Sequence, residues 1–447
     1  LGQPDALDLL ANLVNKSLVR IDDSADEVRY LYLETIRQYA ADRLYEAGES
    51  PGARTRHFNC FLHITDDGFG GTMESFSNPA RLFALDRDLD NLRAALDWSV
   101  ASDPMAAIYL LQSSSALWSM LGLGSEMRRR AEELLDALTQ LPPQEEEAAP
   151  ERLRARAFVL STIAQGGTLT GGDEEAYAAA EEAAALFRSD ESQPGPLANA
   201  LFWQAVLGVL INRPQGYSAA LEGYEISRQI NNHVLQHMTL IGLARWELIK
   251  GDPAAAAAHL AKASRLHVKL GTPVLIAYQA FAESLVKRIN GDFEGAHHVL
   301  AEGVAALQQS HHRLFANVLN SELGHTLRQS GDLAGASEIY HRTIDEWLDL
   351  GNRAAVANQL ECFAFIAVAQ GQNERTARLF GAAEVLRETL SNRMTPAENE
   401  EYDAAVSALR KAMDKDALVS AWDHGRTLDM ETAVELALST GGIDDNR

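Results

Sequence analysis

The sequence predicts an all-α fold, a superhelix of paired helices (an α-solenoid), behind a small N-terminal segment that carries a β-hairpin. Three observations predict it. Gly251, Gly291, Gly331 and Gly371 recur every 40 residues, the mark of an internal repeat. Asp252, Asp292 and Asp332 follow the first three. Glycine takes the left-handed corner between two helices at little cost, and the aspartate accepts a backbone N–H where the second helix starts. Small residues also hold fixed places: Ala244, Ser284, Gly324 and Ala364 before the corner, and Ala263, Gly303, Thr343 and Ala383 after it. They let paired helices approach closely, and Leu260, Leu300, Tyr340 and Phe380 supply the large apolar knobs.

The elements follow in order. Residues 7–14 carry a helical pattern, 17–21 and 28–33 alternate as two short strands about a polar turn, and 34–44 return to a helix that ends at Gly48. Helix, hairpin and helix make the C-terminal part of a winged helix, so 1–65 reads as a partial winged-helix segment with a following helix. The start at Leu1 rather than Met, so close to a helical pattern, reads as a piece of a longer protein. The Gly- and Ser-rich stretch 66–79 reads as a linker, 80–141 as a helical region forming an atypical repeat layer, and 142–147 as a break. Six repeats are expected over 151–390. A weak one rests on Ala164, Gly171, Ala176 and Ala183. Another rests on Leu207, Gly208, Ala220, Tyr224 and Ser227 around a Pro214-Gln215 corner, and the 40-residue units follow. Thr395 to Glu398 has the form of a capping box and Asp429 that of a further cap, so 395–440 reads as C-terminal capping helices over the last repeat.

Leu323-Gly324 before a corner, with Ala336 and Tyr340 after it, resembles the tetratricopeptide pattern. The period of 40 exceeds the usual one of about 34, and this longer form is similar to the superhelical domain of maltose-regulator-like transcription activators. Residues 13–22 and 30–44 resemble the segment after the nucleotide-binding domain in bacterial STAND-type signal-transduction ATPases and large LuxR-type regulators. Residues 90–98, and 377–384 with 422–426, resemble the same family, so the likeness covers most of the chain. The resemblance implies a winged helix that packs on a nucleotide domain and does not read DNA. The phosphate-binding G-x-x-x-x-G-K-[ST] pattern is absent, and no helix-turn-helix is recognisable after residue 430. ATP or ADP is therefore expected only in a missing upstream domain, with no cofactor in this segment.

The chain has 447 residues, 46% apolar and 23% charged, with 63 acidic against 39 basic side chains and a net charge of −24. This balance argues against direct nucleic-acid binding, which needs a basic face to displace counterions. No run of 18 apolar residues could span a membrane, and no signal peptide is visible. Two distant cysteines, Cys60 and Cys362, fit free thiols in a reducing cytoplasm. His297, His298, His311, His312, His325 and His341 lack a spacing that makes ligands converge, so no metal is assigned. Glu181-Glu182 and Glu400-Glu401 read as solvated helix faces, and Gly166-Gly167 to Gly171-Gly172 as a corner. Arg128-Arg129-Arg130 reads as a solvated basic face or a spot for an acidic partner. No nucleophile–base arrangement is legible, so no catalytic residue is assigned and the chain is read as no enzyme.

The concave groove is the functional expectation, because the first helix of each pair lines it. Its candidate residues are Arg245, Tyr278, Phe281, Arg288, Ser321, His325, Arg328, Asn358 and Glu361. Arg245, Arg288 and Arg328 form a basic file beside two aromatics, suited to a protein or peptide carboxylate or to a small anionic ligand. The competing reading pairs these arginines with Glu247, Glu283, Glu322 or Glu361. The chain is then a sensor arm that holds a missing nucleotide-binding domain inactive by intramolecular contact until the groove is filled. The alternative is a constitutive scaffold joining two proteins.

Overall fold

A computed structural model of the chain describes residues 3–23, 28–66, 82, 85–142, 149–190, 192–270, 272–308, 312–390, 394 and 396–439. The expected linker at 66–79, the break at 142–147, His311 and the Thr395 cap lie wholly or largely outside these residues. Among the described residues there are 21 helices and two strands.

At the N-terminus, α1 (Gln3–Asn15), β1 (Val19–Asp22), β2 (Arg29–Tyr32) and α2 (Glu34–Glu46) give helix, hairpin and helix. The strands pair antiparallel, with Val19 opposite Tyr32 and Asp22 opposite Arg29. This segment has little core of its own. Val19 is buried, yet α2 buries no residue, and Leu7, Tyr39 and Tyr45 face outward. An ion pair from Arg29 to Asp88 ties β2 to the start of α4 (Leu89–Ser102). The packed body begins with α3 (Ser50–Thr65), where Phe58 and Phe61 enter the core.

After α4 come α5 (Pro104–Met120) and α6 (Gly124–Gln140), then six antiparallel pairs. They are α7 (Ala149–Leu169) with α8 (Glu174–Arg188), α9 (Pro194–Leu210) with α10 (Gln215–Gln229), and α11 (His233–Ile249) with α12 (Pro253–Leu270). Then follow α13 (Pro273–Ile289) with α14 (Phe293–Leu307), α15 (Arg313–Ser330) with α16 (Leu333–Asp349), and α17 (Arg353–Ala369) with α18 (Asn373–Leu390). Finally α19 (Pro396–Ala412), α20 (Lys415–Arg426) and α21 (Met430–Leu438) pack on the last pair.

The corners form as their residue types dictate. Gly251, Gly291, Gly331 and Gly371 have φ of 81°, 76°, 94° and 75°. The residue after each glycine sends its N–H back to the carbonyl five residues earlier, as from Asp252 to Glu247 (2.8 Å) and from Asp332 to Leu327 (2.9 Å). That bond closes the first helix. The same aspartates open the second: Asp252, Asp292 and Asp332 each accept a backbone N–H three residues on at 2.9 Å. The small positions lie where helices touch. A Cβ on Gly324 would stand 2.5 Å from Tyr340 Cε1, and one on Gly303 would stand 2.8 Å from Ala280 Cβ. Tyr340 is fully buried in this contact.

The superhelix closes on itself. The corner between α16 and α17 meets the α5–α6 and α7–α8 corners, roughly 230 and 180 residues earlier in the chain. A Cβ on Gly122 would lie 2.1 Å from Leu350 Cδ2, and one on Gly171 would lie 2.5 Å from Ala354 Cβ. Asn352 donates from Nδ2 to the Leu169 carbonyl (3.2 Å), while its Oδ1 caps α17 by accepting the Ala355 N–H (3.0 Å). Glycine is needed twice over at 122 and 171, for space and for φ of 74° and 108°. Leu314 and Leu350 join the main core through this seam. A helix deep in such a ring is covered on every side: in α11 every residue from Val234 to Ala244 is buried.

Candidate functional site

Closure divides the inner surface in two. One part is filled: Met238, Ile241, Val274, Leu275, Leu314 and Phe315 are buried. The other is open, and Arg245, Tyr278, Phe281, Arg288, His325, Arg328 and Asn358 keep partial exposure. Ser321 and Glu361, expected on the same face, are buried between helices. The Ser321 hydroxyl accepts from Trp347 Nε1 (3.0 Å) and Gln359 Nε2 (2.9 Å), so helix packing uses it. Glu361 takes two hydrogen bonds from Arg387, at 2.5 and 2.6 Å. Burial raises its pKa above the ordinary carboxylate value, with Arg387 opposing.

The basic file resolves residue by residue. Arg288 pairs with Glu322 at 2.6 Å, one of the pairings the sequence allowed. Arg328 lies over the Phe365 ring (4.7 Å) and grips Glu401 through both terminal nitrogens. Glu401 comes from α19, which the sequence assigned only to capping. From the same helix, Glu398 accepts from Asn358 Nδ2 at 3.1 Å. The acid-rich start of α19 was the available signal, since it faces a row of arginines. Glu247 instead bonds Tyr217 (2.8 Å) and Lys250 (3.3 Å), away from the file. Arg245 alone of the three has no hydrogen bond or ion pair to a described residue. Its guanidinium lies over the Phe281 ring at 5.4 Å.

Aromatic rings wall this part of the face. Tyr278 stacks on Phe315 with centroids 3.9 Å apart and planes 23° apart, and Phe281 meets Phe315 edge-on at 6.1 Å. Burial pushes the Tyr278 phenol up to about 12, with the Arg245 charge opposing. Phe315 was not among the candidates, because its place near the start of α15 reads as core.

Further along α15, His325 Nδ1 is hydrogen-bonded to Tyr340 Oη (2.7 Å) and stands 3.4 Å from Cys362 Sγ. A cysteine beside a histidine is the outline of a nucleophilic pair. Burial, however, pushes the thiol up to about 12 and holds the imidazole well below its ordinary value, helped by the Arg288 and Arg328 charges. Both groups are neutral at pH 7, so the pair supplies no thiolate.

The remaining sequence candidates serve structure. Arg128 bonds Glu132, Asp173 and Glu175, Arg129 bonds Glu133, and Arg130 is buried with Asp97 and Glu126. Arg128 and Arg130 are thus matched by acids from other helices, while Arg129 and Glu133 make up a solvated face. A cavity of about 280 Å³ opens at the seam beside Arg128, Arg129 and Arg353. His298 lies 3.4 Å from Glu302 on the surface. Among the described residues, no helix is long and apolar enough to cross a membrane.

No family model matches the chain. A stretch of 268 residues is 28% identical to proteins of Mycobacterium bovis and Mycobacterium tuberculosis that are named, by inference, HTH-type transcriptional regulators. The match covers 56% of this chain and 28% of theirs, so the chain spans just over a quarter of the length of these relatives. Among solved structures, a Rap protein complexed with Competence and Sporulation Factor aligns with 83% of this chain and 99% of its own. The TM-score is 0.50 and the identity 13%. A STAND protein with a tetratricopeptide-repeat sensor from Pyrococcus horikoshii aligns with 96% of this chain and 57% of its own, at a TM-score of 0.47 and 14% identity. The fold is therefore an all-α, tetratricopeptide-like superhelix, and the relatives named by sequence are regulators.

Proposed function

We propose that this chain is the sensor and regulatory arm of a larger signal-transduction ATPase or transcriptional regulator, and that it works by binding and not by catalysis. The observation that carries the reading is the half-open inner face. Part of it is filled by apolar side chains, while the open part gathers aromatic and cationic side chains from three successive pairs and Asn358 from a fourth. A surface of that kind receives a protein segment, a peptide or a small anion. Arg245, Tyr278, Phe281, Arg288, His325, Arg328 and Asn358 are the residues assigned to it. The regulator names of the relatives, and a similar fold complexed with Competence and Sporulation Factor, support the assignment.

The helix–hairpin–helix segment is the second contact surface. Its exposed Leu7, Tyr30, Tyr39 and Tyr45 suit an intramolecular seat on an upstream nucleotide-binding domain. In this reading the arm restrains that domain, and a ligand with unequal affinity for restrained and released states shifts the balance. The test compares the full gene product with a version lacking 151–447, reading nucleotide hydrolysis and transcriptional output. Higher output without the arm is expected. Equal output from both would leave a constitutive scaffold as the better description.

A further inference from the structure

We infer that Arg245 and Tyr278 form the head-group subsite of this inner face, built for a single carboxylate carried on an apolar or aromatic body. The inference rests on the groove reading above and narrows it to one ligand chemistry.

Charge bookkeeping on the face leads to Arg245. Arg288, Arg328 and Arg387 each have a carboxylate in direct contact, Glu322, Glu401 and Glu361 respectively. Among the described residues, Arg245 contacts the face of Phe281 and no carboxylate directly. Its side chain is half-buried, and that burial disfavours its charge, an effect the more distant Glu322, Tyr278 and Glu398 partly offset. A guanidinium presents five donors in a fixed fork and stays charged at any ordinary pH, so leaving it without an acceptor in such a place is costly. An incoming carboxylate removes that cost by accepting two parallel hydrogen bonds.

Tyr278 supplies the second donor. Its hydroxyl has no hydrogen-bond partner among the described residues, and burial keeps it protonated. It lies one turn before Phe281 on α13, and both rings meet Phe315, so Tyr278 borders the ring beneath Arg245. Tyr278 and Phe281 keep partial exposure there, braced from behind by the buried Phe315, and offer apolar ring surface to whatever the carboxylate is attached to.

The neighbouring acids set the charge of the ligand. Glu322, paired with Arg288, and Glu398, held by Asn358, bring acidic groups to the same face, so one added negative charge is favoured over a phosphate dianion. A free carboxylic acid and the C-terminus of a peptide share the accepted chemistry.

The experiment titrates the purified chain with N-acetyl-phenylalanine, its neutral amide and phenyl phosphate, by calorimetry and by NMR of the ligand. The acid is expected to saturate in the millimolar range, at least tenfold tighter than the amide or the phosphate. Arg245→Met is expected to abolish that preference while melting no lower than wild type, because the native arginine is unmatched. Tyr278→Phe should weaken the acid severalfold. A peptide ending in phenylalanine, with free or amidated C-terminus, separates the two sources: a peptide acid tighter than N-acetyl-phenylalanine points to a chain end, and equal binding to a small acid. Equal affinity for acid and amide, no saturation by about 50 mM, or an unchanged preference in Arg245→Met would overturn the subsite. Arm-dependent output of the full gene product would still stand in that event, so the two failures are told apart.

Discussion

At the scale of single residues, the inner face shows how differently similar arginines behave once their partners are known. Arg387 holds Glu361 at the centre of the last pairs, with both side chains almost fully buried. Removing the cation strands a buried carboxylate, which typically costs about 3–5 kcal/mol. Arg387→Met is therefore expected to lose stability of that order at pH 7, measured by urea unfolding. The loss should shrink at lower pH. Glu361 already has a folded pKa above its ordinary 4.5, and without Arg387 that pKa rises further. A raised carboxylate pKa gives stability that is present below the unfolded value and lost as pH rises through the folded one. The deficit of the variant is thus smallest near pH 4.5 and largest at neutrality. A deficit that does not change with pH would mean that Glu361 finds another cation. None of this was visible in the sequence beyond a short list of possible glutamates. Arg288 met Glu322 within that list, but Arg328 met Glu401 and Glu361 met Arg387, because tertiary folding brings α19 and α18 to positions that repeat spacing does not encode.

At the scale of elements, the corner is the most legible part of the chain. Its chemistry is local: Gly251-Asp252 and its counterparts close one helix and open the next with bonds spanning three to five residues. Sequence alone therefore fixes both the turn and its period. The paired-helix contact is nearly as legible, since Gly324 and Tyr340 each hold a place that recurs from repeat to repeat, one small and one large. Gly324→Leu should overpack this contact and cost roughly 1–3 kcal/mol, read from the shift in denaturation midpoint. Wild-type stability in that variant would show that Tyr340 turns aside. The inner face was harder to read, because whether a first-helix residue is open or covered depends on closure. Ser321 has the spacing of a groove residue, yet it ends beneath Trp347 and Gln359.

At the scale of the whole molecule, the seam decides shape. An open solenoid is held by neighbours only; here Gly122, Gly171 and Asn352 join units distant in sequence. Gly122→Val sets a β-branched residue at φ 74° and drives it into Leu350. The expected result is an opened ring with a larger radius of gyration by small-angle X-ray scattering, and little loss of helix by circular dichroism. An unchanged radius would show that the closing contact lies elsewhere. Closure also fixes how many units the chain contains. Linear arrays gain and lose repeats freely, because a new unit only lengthens the rod. Here one added 40-residue unit would carry the Leu350 corner past Gly122 by the width of two helices, about 16–20 Å. No side-chain adjustment spans that distance. Unit number is thus part of the folding code of this protein, and natural length variation should fall in the loops and ends instead of between residues 172 and 350.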